Sequence, residues 1–385
     1  MDRDDVVRDG SLDRRAFIGR AAAGAAAVAA GASAACAGPG AGGPAVRTQQ
    51  NVVWRLASSF PRGLDALYGS SERLAEKIEA LTEGRFRIRP YAAGELVPAL
   101  QVLDAAQQGT VQVGHSAGYY YTGKNEALAF DTCVPFGLTS RQQSAWLYEG
   151  GGLDLMRELY ADFGVISFPA GNTGTQMGGW FKREIGSVGE LRGLKMRIPG
   201  MGGAVMNQLG VTVQVLGGGE IYPALERGAI DATEWVGPYD DEKLGFQNAA
   251  RFYYYPGWWE PGPSMSFMVN RQAWDQLPQA YKDAFEVATV YAMNGTQTIY
   301  DHRNPEALER LIAGGTQLRR YPDDVMRAAQ QVTRDLLEQS ASRDAGFRKI
   351  YDAFQQFRED SFRWFGTSEQ EFARFAFGDP ASNTT

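Results

Sequence analysis

The stretch Gly193-Leu-Lys-Met-Arg-Ile-Pro-Gly200, read with Gly228-Ala-Ile-Asp-Ala-Thr-Glu-Trp235 downstream, decides what kind of chain this is. Each reads as a short strand that runs out at a polar or turn-forming end. In the first, Leu194, Met196 and Ile198 alternate with Lys195 and Arg197, so Arg197 falls on the more polar face. There it either meets solvent or lines a cleft, and the abrupt stop at Pro199-Gly200 suits a cleft rim. Together the two stretches offer one arginine, one glutamate and one tryptophan to a common space. A fork-shaped cation beside an aromatic wall suits capture of a small carboxylate. With no convincing nucleophile beside them, these residues point to binding rather than catalysis.

Working outward, strand and helix patterns alternate. Residues 51–57 read as a strand, 64–82 as a helix stopped by Gly84, 86–91 as a strand, 97–108 as a helix closed by Gly109 and 110–113 as a strand. That order predicts an α/β layer. A faint internal echo joins residues 103–116 to 222–235: both run helix, glycine, short strand, polar tip. Ligands in open α/β sheets sit beyond the carboxyl ends of strands, so two facing tips would frame a cleft between lobes. The same helix–glycine–strand order is also common in any α/β protein. From Pro305 to Phe377 the pattern is mostly helical, with an aromatic run at Phe347, Tyr351, Phe354, Phe357, Phe362, Trp364 and Phe365 that must cover either both lobes or a second copy.

The chain has 385 residues, enough for two ordinary domains, and is aromatic-rich at 12%. Its net charge of −7 excludes a basic nucleic-acid footprint, but a buried arginine can still dominate its own pocket. Arg14-Arg15-Ala-Phe-Ile18 before an Ala/Gly-rich stretch reads as a twin-arginine export signal over 1–36, followed by a Gly/Ala/Pro-rich linker over 37–50. Cleavage near Ser33-Ala34-Ala35 would leave Cys36 first, which also permits a lipid anchor. With Cys36 removed or lipidated, Cys133 stands alone; no internal disulfide or cysteine zinc site can then form, and Cys133 reads as a small buried hydrophobe. A glycine fingerprint at Gly38–Gly43 lies in the linker with no strand before it and carries no dinucleotide reading.

Other constellations compete. Glu234-Trp235 ends one strand, and Trp258-Trp259-Glu260 follows the tyrosine run 253–255. Two acids near one arginine could neutralise it, could hold a hard cation with Gln176 supplying an amide oxygen, or could simply cap helices and face water. Gly114-His-Ser-Ala-Gly118 matches a nucleophile elbow, which would make Ser116 the nucleophile of a secreted α/β-hydrolase with His302 as base. Against that, Tyr119-Tyr120-Tyr121 then Gly123 begins a helix poorly, and no Gly-rich oxyanion segment precedes it.

These motifs resemble the solute-binding proteins of tripartite ATP-independent periplasmic (TRAP) transporters. The likeness runs from residue 51 to about 340, on Gly179-Trp-Phe-Lys-Arg-Glu-Ile185, Leu191–Gly200, Gly218-Gly-Glu-Ile-Tyr222, Gly228–Pro238 and Trp274-x-x-Leu-Pro278. Within the family it looks similar to the branch that binds 2-oxo acids and lactate. The resemblance implies an α/β, two-lobed periplasmic-binding-protein-like fold with a central cleft, crossing strands and a long C-terminal helical segment. On that basis 51–171 plus 261–300 form lobe I, 172–260 plus 301–330 form lobe II, and 331–385 form C-terminal helices that span the lobes or pair two copies. It implies that Arg197 pairs with the ligand carboxylate and that a sodium or calcium ion bridges it, held by Gln176, Glu234 or the backbone of Trp235, and Glu260. Members with arginine at the position of Gln176 take sugar acids without a cation, so the glutamine favours the cation-assisted pocket. Tyr120, Tyr121 and Tyr239 would line the ligand's other side, with Asn172 and Phe136 as further candidates. A membrane permease would receive the ligand in the periplasm, and a homodimer through the C-terminal helices would fit the aromatic run. A protein presenting ligand to a sensor kinase is the alternative to transport.

Overall fold

A computed structural model describes residues 50–378. The twin-arginine pair, Cys36, the glycine fingerprint and all of the 37–50 linker except residue 50 lie outside the described residues. The strands are β1 (Val52–Ser58), β2 (Phe86–Tyr91), β3 (Val113–Ser116), β4 (Val165–Asn172), β5 (Trp180–Phe181), β6 (Lys195–Arg197), β7 (Thr212–Gln214), β8 (Ala232–Thr233), β9 (Phe252–Tyr255), β10 (Ser264–Asn270) and β11 (Gln317–Arg320). They make two sheets, in the orders β2-β1-β3-β10-β4 and β11-β9-β5-β8-β6-β7. Each sheet is mostly parallel, with antiparallel members where the chain crosses from one lobe to the other.

Those crossings are the organising feature. Asn172 ends β4 in the first sheet and Trp180 opens β5 in the second; Tyr255 ends β9 in the second and Ser264 opens β10 in the first. The two connecting segments run side by side and are laced together. Gln176 N–H donates to the Glu260 carbonyl (3.1 Å), Gly257 N–H to the Gln176 carbonyl (2.9 Å), and Thr173 N–H to the Pro263 carbonyl (3.2 Å). Backbone that leaves a sheet must find such partners or strand its polar groups.

The helices include α1 (Tyr68–Leu81), α2 (Val102–Gln107), α3 (Gly218–Glu226), α4 (Pro238–Leu244), α5 (Gln279–Ala313), α6 (Asp323–Arg343) and α7 (Ala345–Phe365). Helix α5 packs on α1 and β4 of the first lobe and on α4 of the second, so one continuous helix runs along both. Pro305 lies inside it rather than at its start. Helix α6 also bridges: Val325 and Ala329 join the second lobe's core with Met196 and Val205, whereas Leu337 and Ala341 join the first lobe's core with Phe130 and Trp146. The aromatic run of α7 divides. Phe347, Tyr351 and Phe354 are buried against Phe130 and Trp146, each burial contributing about 1.5–3 kcal/mol. Trp364, Phe372, Phe375 and Phe377 remain exposed.

Several sequence expectations shift. The helix expected over 64–82 begins at Tyr68, and only Ala99–Gln107 of 97–108 is helical, its first turn in the tighter 3₁₀ form. The strand expected over 110–113 lies at Val113–Ser116. Gly109, at φ +71°, turns the chain, and pairing with β1 starts only where Val113 meets Leu56.

Candidate functional site

Parallel pairing of β6 with β8 sets Arg197 opposite Thr233, so Glu234 and Trp235 emerge just past the guanidinium. Arg197 is not a surface residue: it is 1% exposed. Its Nε donates to the Leu216 carbonyl (3.1 Å), and Nη1 donates to the Glu234 carbonyl (3.2 Å) and ion-pairs with the Glu234 carboxylate. Among the described residues Nη2 has only a long contact, to the Tyr120 hydroxyl (3.5 Å). Tyr120 follows β3 of the first lobe, so the two strand tips do face each other across the cleft. Trp235 lies under the guanidinium, with its ring centroid 5.1 Å from Cζ. Its indole N–H donates to Asp240 at the start of α4 (3.3 Å), and Gly218 at the start of α3 leaves the room its ring needs, since a Cβ there would stand 2.8 Å from the ring edge.

Burial opposes the Arg197 charge, but Glu234 and the neighbouring tyrosines hold its pKa above the ordinary arginine value. Glu234 is pushed up to about 7 by burial, with Arg197 pulling the other way. Glu260 stands well above the usual carboxylate range, through burial first and then the charge of Glu234. Neither acid caps a helix or faces water; they are 0% and 3% exposed.

Three buried acceptor oxygens in this region have no hydrogen-bond partner among the described residues: Oε2 of Glu234, Oε2 of Glu260 and Oε1 of Gln176. A buried polar atom left unmatched costs about 1–3 kcal/mol, more if charged. All three are hard oxygens, and of the two carboxylates only that of Glu234 is paired with the guanidinium. That donor set fits a hard cation of the sodium or calcium type. Among the described residues there is no cluster of three or more His, Cys, Asp or Glu, so such an ion would need the amide and backbone oxygens as well.

Beside Gln176 lies a small cavity walled by Tyr119, Tyr120 and Trp235 and floored by Phe60, Leu67, Val236 and Met265. Among the described residues no charged side chain lines that floor.

The structure therefore brings Arg197, Gln176, Glu234, Trp235, Glu260 and Tyr120 together. It does not bring in the others. Asn172 spends its amide on backbone, donating to the Gly262 carbonyl (2.9 Å) and accepting from Gly174 N–H (2.9 Å), so it braces the crossing segments. Tyr121 points back to Ser116 (3.0 Å) and accepts from Leu103 N–H. Tyr239 donates to Asp65 (2.9 Å) and lies outside the cavity lining. Phe136 stacks on Trp258 and also stays out of the lining. Sequence reading missed Tyr119, Phe60, Leu67, Thr173, Val236 and Met265. Phe60 was findable, because it follows the carboxyl end of β1.

The hydrolase reading fails. Ser116 is fully buried, its hydroxyl 2.7 Å from that of Ser59 and 3.0 Å from that of Tyr121. A short 3₁₀ turn, Gly118–Tyr121, follows it instead of a helix. His115 packs between Phe60 and Phe267, its Nδ1 bonded to Ser71 (2.7 Å) and its pKa depressed to about 3 by burial. His302 sits exposed on α5.

Two lobes on laced crossings, with a buried guanidinium and unmatched oxygens between them, define a cleft-binding receptor for a small anion. Residues 58–344 match the bacterial extracellular solute-binding proteins, family 7, and the chain belongs to that family. It is a solute-binding protein of the periplasm, not an enzyme, and its family works with TRAP transporters. No helix among the described residues is long and apolar enough to cross a membrane.

The chain is 57% identical over 326 residues to a monocarboxylate 2-oxoacid-binding periplasmic protein of Nostoc sp. strain PCC 7120, covering 85% of this chain and 89% of the relative. A TRAP solute-binding protein of Bordetella bronchiseptica RB50, a mixed-occupancy dimer crystallised with copurified calcium and picolinate, aligns at 45% identity and a TM-score of 0.85, covering 86% and 98% of the two chains. One from Pseudoalteromonas atlantica T6c, with bound sodium and pyruvate, aligns at 38% identity and a TM-score of 0.82, covering 84% and 99%. The sensor reading finds no support among these relatives.

Proposed function

We propose that this chain captures a small 2-oxo monocarboxylate, such as pyruvate, together with a sodium or calcium ion, and delivers it unaltered to a TRAP membrane permease. The observation that carries the reading is the buried Nη2 edge of Arg197 beside three unmatched acceptor oxygens. The ligand carboxylate takes the guanidinium edge, a charge-assisted contact worth about 1.5–3 kcal/mol. Gln176, Glu234, Glu260 and the main-chain carbonyl of Trp235 would hold the cation, which would supply positive charge to the bound anion. Charge balance favours calcium slightly: two carboxylates, one guanidinium, one ligand carboxylate and a divalent ion sum to zero. The uncharged floor at Phe60, Leu67 and Met265 accepts an apolar tail and gives a second carboxylate no partner. Lactate fits the same floor but offers a hydroxyl in place of the keto oxygen. The relatives that bind 2-oxo acids, pyruvate and picolinate support this class.

Lobe I is assigned to 51–171 plus 261–300 and lobe II to 172–260 plus 301–330, with the hinge in the laced crossings. The C-terminal segment 331–385 pairs two copies through the exposed aromatics Trp364, Phe372 and Phe375. Export uses the twin-arginine leader, and cleavage after Ala35 leaves Cys36 open to a lipid anchor. The test is calorimetry on protein stripped of ligand by unfolding and refolding. Pyruvate should bind with calcium or sodium present and bind much more weakly after chelation in sodium-free buffer. Equal binding under both conditions overturns the cation, and no binding of any 2-oxo acid overturns the ligand class.

A further inference from the structure

We propose that Thr173 is a positioning residue that sets which end of the Gln176 amide faces the cation. The inference rests on the cation-assisted reading and adds Thr173, which lines the same cavity as Gln176. Thr173 lies on the first crossing segment and is 2% exposed; Gln176 is 3% exposed. The Thr173 hydroxyl donates its single hydrogen to the Gly174 carbonyl (3.0 Å). What remains on that oxygen is acceptor capacity alone, so the amide group facing it has to be a donor. Gln176 Nε2 is that donor, at 3.2 Å. The amide oxygen is thereby turned to the other side, where it is buried and unmatched.

The orientation matters because an amide has two ends of nearly equal shape and opposite polarity. Presented oxygen-first, Gln176 adds an acceptor to those of Glu234 and Glu260, as a hard cation requires. Presented nitrogen-first, it would put a donor where the unmatched Oε1 now lies and repel the ion. Glu260 also neighbours the amide nitrogen. The unmatched oxygen of Glu260 is Oε2, so a cation there leaves the other carboxylate oxygen beside the amide nitrogen, and Thr173 and Glu260 together keep the amide from reversing. The backbone keeps Thr173 in place: its N–H is bound to Pro263 on the second crossing, and Gly174 is pinned by Asn172.

The experiment measures calcium affinity of the refolded, ligand-free protein by calorimetry. Thr173→Val keeps shape and removes the acceptor; its calcium Kd should rise about tenfold or more, the usual cost of losing a group that orients a metal ligand. Thr173→Ser restores the acceptor and should stay close to wild type. Gln176→Glu presents oxygen at both ends, so Thr173→Val in that background should change the calcium Kd by less than about twofold. A merely structural Thr173 would cost the same in both backgrounds, which overturns the proposal, as does an unmoved Kd in the single variant. A wild-type protein that takes up no calcium or sodium sinks the functional reading itself. Melting of the calcium-free variants separates loss of fold from loss of orientation.

Discussion

Arg197→Lys separates a fork from a point charge. In the native site the guanidinium makes three commitments on two nitrogens, to the Leu216 carbonyl and to the carbonyl and carboxylate of Glu234, and still has Nη2 to offer. A lysine ammonium can keep the Glu234 pairing, so the buried carboxylate is not abandoned and the fold should survive. It has no second nitrogen to place against a ligand carboxylate. The ligand then loses one charge-assisted hydrogen bond, about 1.5–3 kcal/mol, which raises Kd by roughly 10- to 150-fold. Calorimetry with pyruvate at saturating calcium measures this directly. Calcium binding in the absence of pyruvate should change far less, because the cation's oxygens are untouched. A pyruvate Kd within about threefold of wild type would refute the assignment of Nη2 to the carboxylate.

Other outcomes follow from the same geometry. Calcium affinity without ligand should fall as pH drops below about 7, because protons compete for Glu234, and the calcium-free protein should melt lower at pH 8 than at pH 5.5. The sign is set by linkage: a carboxyl whose folded pKa is raised binds more protons folded than unfolded, so stability declines as pH rises from the free-carboxylate range through about 7. A melting temperature that rises over that interval under chelation would contradict it. Asp65→Asn should speed pyruvate release a few-fold at most in stopped-flow traces, since the contact of Asp65 with Lys243 and Tyr239 joins the lobes at a largely exposed position worth about 0–1 kcal/mol; high salt should abolish the difference. Ser116→Ala should leave pyruvate affinity unchanged while costing about 1–3 kcal/mol in denaturant unfolding, because the buried Tyr121 hydroxyl loses its acceptor. A large affinity loss would return Ser116 to the site.

Much of this was legible along the chain. The alternation through Met196, Arg197 and Ile198 and the glycine stops at Gly109 and Gly228 mark strands, turns and polar tips, because period and backbone freedom are local properties. The same local code placed Glu234-Trp235 at the end of a strand and Glu260 after a tyrosine run. It also supplied an attractive wrong answer at Ser116, whose Gly-x-Ser-x-Gly spacing is as good as a real elbow's. Spacing reports which residues are neighbours in sequence, and Ser116 was disqualified by Ser59 and Tyr121, which arrive from β1's end and the next turn.

What the tertiary structure decided is where each side chain spends its hydrogen bonds. Three consecutive tyrosines are equivalent on paper; packing sends Tyr119 and Tyr120 into the cavity and Tyr121 back toward Leu103. Asn172 and Gln176 are both amides four residues apart, yet one is consumed by backbone and the other keeps an unmatched oxygen. Burial of Arg197 likewise required both lobes, with Leu216 and Glu234 coming from one and Tyr120 from the other. Secondary structure is settled by torsions and periodicity within a few residues, whereas the charge and donor balance of a cleft depends on atoms brought from distant segments, and only closure of the fold sets those distances.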